Sequence, residues 1–145
     1  MFDEQIYRRF NHTVAACFII FFLFPQNILG VERIYLVIIM WMIIITMEYL
    51  RLQDKFELVG MRDYEQKRIA GFVWFATGTS ILFIFTEMGA FPQSIAIATI
   101  IMAAYTDPVI GEANRKLGGN WSLGLGFLCA FLIYVSVIGL SLIHI

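Results

Sequence analysis

Charge is what this sequence has least of. Of its 145 residues only 14 % are Asp, Glu, Lys or Arg, and 60 % are apolar. Soluble domains carry about 25 % charged and roughly 45–50 % apolar residues. The shortage excludes an ordinary water-soluble domain and points to a chain held in a bilayer. A net charge of −1 gives no argument for a nucleic-acid partner, and none is expected. Cysteine is scarce too. Cys17 and Cys129 lie 112 positions apart, each inside an apolar run, where a thiol serves as a small hydrophobic filler. No zinc-site spacing exists. The first apolar stretch has no small-residue cleavage site, and Asp3 and Glu4 precede it, so it is not read as a secretory leader. Repeats and low-complexity tracts are absent.

Long uncharged runs are what the chain does have. Arg9 to Glu32 encloses 22 uncharged residues, Arg33 to Glu48 14, Arg68 to Glu87 18, and Glu87 to Asp107 19, while 29 follow Lys116. A helix rising 1.5 Å per residue needs about 20 residues to cross a ~30 Å hydrocarbon core. The sequence therefore predicts an all-α, polytopic membrane helix bundle in a single domain, 1–145. Five spans are expected near 13–30, 33–50, 69–88, 92–107 and 121–143. The second reaches full length only if Glu48 and Tyr49 lie at or inside the boundary.

Lysine and arginine set the orientation. Arg8 and Arg9 precede span one, Arg51, Lys55, Arg62, Lys67 and Arg68 follow span two, and Arg115 and Lys116 follow span four. Nine of the ten bases thus share a side, with Arg33 alone opposite. The bias predicts a cytoplasmic N-terminus.

Residues 1–12 read as an amphipathic lead-in, with Phe2, Ile6, Tyr7 and Phe10 near one face. Pro25 should kink or end the first span, and Gly30 marks the turn outside it. The polar loop 51–68 alternates acids and bases and suits short interfacial helices broken at Gly60. Gly71, Gly78 and Gly89 punctuate the third span and permit close helix packing.

Positive-inside bias explains the arginines and lysines on the cytoplasmic side. It does not explain His12, Glu48, Asp107 and Glu112 beside them. Ionisable groups at membrane depth usually face a partner or a cavity. A residue before proline avoids the α region, so the fourth span should break at Asp107-Pro108, and such a break is tolerated where it lines a cavity. Gly111 would let a ligand approach the backbone. Asp107, with Glu112, is a candidate magnesium ligand, and Arg115 and Lys116 are candidates to neutralise phosphate. The plainer alternative is an Asp-Pro turn ending a helix before a solvated basic loop. Glu48 and Arg51, three apart, share a helix face and could simply pair. His12 shares a face with Arg8 and could be an interface residue.

Four segments, in order, resemble one family. "RRFNHT" resembles the opening Arg-Lys-x-x-His element of the dolichol kinase, phytol kinase and CTP-dependent diacylglycerol kinase family. "EYLRL" resembles its Glu-x-x-Arg element, and "KRIAGFVWFATGT" the stretch entering its next span. "YTDPVIGEANRKLGG" resembles its Asp-Pro motif with a following Gly, base and Gly. The resemblance covers roughly residues 5–120. It implies a membrane enzyme that phosphorylates a lipid alcohol with CTP and a divalent cation such as Mg2+. By position Arg8, Arg9 and His12 match the first element, Glu48 and Arg51 the second, and Asp107, Gly111 and Arg115 the Asp-Pro motif.

On that reading Asp107 and Glu112 hold magnesium, and Arg115, Lys116 and Arg51 bind phosphate. Glu48 or His12 orients or deprotonates the lipid hydroxyl. The family's further Lys-Ser/Thr-x-Glu-Gly-Ser element is missing, since "GGNWSLGLGF" stands in its place. Lys67 or Lys55 with Glu57 or Glu65, or a second copy of the chain, would have to replace its lysine and glutamate. Few spans to enclose a lipid tail, and glycines 71, 78, 124 and 126 for close packing, lead us to expect a homodimer. The departure keeps two alternatives open: a non-catalytic membrane subunit, and a cytidylyltransferase acting on a lipid phosphate.

Overall fold

The structure, a computed structural model, describes residues 13–54 and 68–143. Helix α1 covers Thr13–Leu23 and tightens to a 3-10 helix over Cys17–Leu23. A small hairpin follows, β1 at Asn27–Ile28 and β2 at Val31–Glu32. Then come α2 (Arg33–Asp54), α3 (Gly71–Glu87), α4 (Gln93–Leu117) and α5 (Gly119–Ile143). The all-α expectation holds, with the hairpin as an addition.

Helices α2, α4 and α5 are long and apolar enough to cross a membrane. Helix α3 is apolar but has 17 residues, about 25 Å of helix, which falls short of a ~30 Å core. The run expected as a first span, 13–30, is helical only over Thr13–Leu23. Pro25, lacking an N–H, stands where the chain leaves the helix. In the hairpin Ile28 pairs with Val31 and Asn27 with Glu32. Its two-residue turn has both members left-handed, Leu29 at φ 53° and Gly30 at φ 84°, the twist that short hairpins require.

The expected break at Asp107 does not occur. Helix α4 runs through with Pro108 inside it. Local propensity favours a stop there, but packing on both sides of the proline opposes it. Ala104 before it and Ala113 after it are buried, and Ile110 lies against α5.

The described chain falls into two compact units. In Phe24–Ala90, α2 and α3 form an antiparallel pair fastened at three levels. Arg33 Nη2 meets Glu87 Oε1 at 2.6 Å, Trp41 Nε1 donates to Thr77 Oγ1 at 3.1 Å, and the Ala70 N–H donates to Glu48 Oε1 at 2.8 Å. As the α2 partner advances, the α3 partner retreats. Without the hydrophobic effect to join helices in lipid, such bonds and close packing do the joining.

The other unit comprises the described parts of 1–23 and 91–145. Its centre is the α4–α5 hairpin, turned at Gly118, whose φ of 88° suits glycine. Gly126 of α5 faces Ile110 and Thr106 of α4, at matching distances along the chain from the turn. A Cβ at Gly126 would collide with Ile110 Cγ1 and lie 2.7 Å from its Cδ1. Gly126→Ala is therefore expected to cost about 1–3 kcal/mol of stability. The same change in an Ile110→Ala background should cost less, because the colliding atoms are gone. Thermal unfolding of the four proteins in detergent checks this.

Candidate functional site

At the end of α2, spacing of three puts Glu48 and Arg51 on one face, and they pair in two places. Arg51 Nη2 donates to Glu48 Oε1 at 2.7 Å and Arg51 Nε to Oε2 at 2.8 Å. Arg51 is 2 % exposed and Glu48 5 %. Each also holds the chain that enters α3. Arg51 Nη2 donates to the Arg68 carbonyl at 2.8 Å, and Glu48 Oε1 accepts the Ala70 N–H. Buried charges need such partners, because desolvation otherwise costs several kcal/mol per ion. A carboxylate accepting these bonds out of water is badly placed to take a substrate proton. The geometry instead makes Glu48 and Arg51 a structural clasp that closes the start of α3 onto the end of α2.

Helix α4 supplies a different surface. Because it is continuous, Asp107, Gly111 and Arg115 at spacings of four fall within about 80° of arc, and all three are exposed. Asn114, also exposed, shares that face. A Cβ at Gly111 would meet nothing within 4 Å, so packing among the described residues does not require the glycine there. In mid-helix glycine costs roughly 0.5–1 kcal/mol relative to alanine. Between the acid and the base lies a bare strip of backbone. No described residue hydrogen-bonds or ion-pairs with the Asp107 carboxylate.

The chain matches no protein-family model, no curated protein and no solved structure.

Glu112 leaves that face. Five residues beyond Asp107, it points about 140° away around the helix. There it accepts both contacts from Arg115 Nη2 at 2.8 Å and one from Lys116 Nζ at 3.0 Å. Asp107 and Glu112 on a continuous helix do not converge on one cation, so the expected two-carboxylate site does not form on α4. Among the described residues no cluster of three or more His, Cys, Asp or Glu gathers for a metal. Asp107 alone fits a magnesium ion that arrives with phosphates, since magnesium often takes one protein carboxylate, waters and substrate oxygens.

Arg8, Arg9, His12 and Lys67 lie outside the described residues, as do the lead-in 1–12 and the loop centre at Gly60. Two features are additional to the expected site residues. One is the Arg33–Glu87 pair. Its signal is present, because the two charges bound neighbouring apolar runs that must lie antiparallel. The other is the Thr106 hydroxyl beside Asp107, buried and without a described partner, for which nothing in the sequence gives a signal.

Proposed function

We propose that this chain is an integral membrane protein that transfers a phosphoryl group from CTP to a lipid alcohol at the cytoplasmic face. The observation that carries the reading is the exposed face of α4, where Asp107, unpaired among the described residues, a bare Gly111 and the base Arg115 line up. These are the three positions at which the sequence resembles the Asp-Pro motif of CTP-dependent lipid kinases. A helix face without a side chain between acid and base suits a phosphate chain lying along it.

Phosphoryl transfer asks mainly for positioning and charge neutralisation. Arg115 and Lys116 would neutralise phosphate in this reading, and Asp107 would hold a magnesium ion arriving with the nucleotide, whose charge would offset that of the phosphates. Glu48 drops out as a base, and His12 takes that role. Five spans with a cytoplasmic N-terminus agree with the lysine and arginine bias, although the described helix of the first covers only Thr13–Leu23. Helix α3, short of a full crossing, would be met by modest local thinning of the bilayer. The reading includes a homodimer to enclose the lipid tail.

One observation favours a second reading, a non-catalytic membrane subunit. The Glu48–Arg51 pair is closed on itself and on the backbone, and the Lys/Glu-Gly element is absent from the sequence.

Asn114→Cys, with Cys17 and Cys129 replaced by serine, tests site and side together. An impermeant thiol reagent should label position 114 in inside-out vesicles and not in intact cells, and CTP should slow the labelling. Glu32→Cys should label from the outside. Labelling of position 114 from outside, or labelling indifferent to CTP, would contradict the proposal.

A further inference from the structure

We propose that the β1–β2 hairpin is seated in the lipid interface, with Leu29 at its tip among the acyl chains. Leu29 opposes two preferences at once. Its φ of 53° is left-handed, and the first position of such a turn favours Asn, Asp or Gly. Its side chain is also fully exposed, at 101 %. In water neither the backbone nor the side chain has a reason to keep leucine here, and an apolar medium around the tip supplies one.

The surroundings agree. Val31 is exposed next to the turn, and Phe24 before the hairpin and Met88 just past α3 are exposed as well. The polar pair Asn27 and Glu32 sits at the hairpin base, away from Leu29. The mount is stiff. The Arg33 N–H donates to the Gln26 carbonyl at 2.9 Å, and Arg33 Nη1 donates to the Phe24 carbonyl at 2.6 Å. The same guanidinium grips Glu87 through Nε and Nη2. A buried, bonded arginine thus fixes the hairpin to the joined ends of α2 and α3. From Arg33 the apolar surface continues along the membrane-length helix α2 through the exposed Tyr35, Leu36, Ile38 and Ile39. A lipid surface covers both as one continuous interface. The inference rests on the membrane reading alone and not on CTP chemistry.

The test uses an NBD label on a single cysteine in phosphatidylcholine nanodiscs, in the background lacking Cys17 and Cys129. Leu29→Cys should give blue-shifted emission, quenched by lipids carrying a doxyl group near the headgroup. Ile39→Cys serves as the membrane reference and Asn114→Cys as the water-exposed one. Quenching at 39 with water-like emission at 29 overturns the hairpin proposal only. No quenching at 39 overturns the membrane reading itself. A blue shift at 29 without lipid quenching, dependent on the number of copies per disc, assigns the tip to a protein contact and also overturns the proposal. Because the dye is itself apolar, a second measurement labels Val31→Cys with and without Leu29→Asn. Asn suits the turn, so folding should persist by circular dichroism while quenching at 31 falls. Unchanged quenching would remove Leu29 from the role.

Discussion

Replacing Glu48 by Gln is expected to destabilise the protein by about 3–5 kcal/mol, the usual cost of breaking a buried ion pair from one side. Glutamine keeps the shape and can still accept the Ala70 N–H. What it removes is the charge facing Arg51, which is 2 % exposed and cannot swing to water without releasing the Arg68 carbonyl. The double change Glu48→Gln with Arg51→Met should be milder than Glu48→Gln alone, because no uncompensated charge remains. Replacing both ions of a buried pair with well-packed hydrophobic residues is often close to neutral; here the Arg68 carbonyl, left without its donor, keeps some cost. Denaturant titrations in detergent give the cycle. A single change as mild as the double one would show that the pair is not desolvated.

Asp107→Asn should leave the protein folded and inserted while lowering transfer to lipid by roughly 10²–10³-fold, the scale felt when one group facing the transition state is lost. The residue is exposed and no described side chain depends on it, so stability has little to lose. Glu112→Gln is the informative control. Glu112 lies off the face and is already held by Arg115 and Lys116, so its loss should weaken transfer far less. Equal losses at both positions would restore a shared two-carboxylate site and contradict the geometry derived from a continuous α4.

The helical class was legible because apolar runs bounded by charges leave few alternatives in so uncharged a chain. The ends of those runs were less so. The pattern puts the end of span two near 50 and that of span four at 107, yet α2 continues to Asp54 and α4 to Leu117. A buried pair absorbs the charge in the first case, and packing around Pro108 outweighs the local preference to stop in the second. The continuity of α4 through Asp107 has a consequence for the site. A break there would have left Glu112 free to turn toward Asp107, whereas the unbroken helix separates the two and aligns Asp107 with Gly111 and Arg115. The Glu48–Arg51 pairing could be read from spacing alone. Its second job, holding Arg68 and Ala70, could not, because it depends on where α3 starts. The hairpin was half legible. Gly30 marked the turn, but nothing in the sequence said that a leucine would share its left-handed backbone.

Phosphoryl transfer itself is decided by following the phosphates of the nucleotide into lipid. The purified chain in nanodiscs is given CTP labelled at either the α- or the γ-phosphate, with a panel of prenols, phytol, diacylglycerol and phosphatidate. γ-Label, and no α-label, is expected to enter a lipid alcohol, and Asp107→Asn should lower that incorporation by roughly 10²–10³-fold. Label from the α-position would mark a cytidylyltransferase, and no label in any lipid would mark a membrane subunit without catalysis; either result would contradict the account.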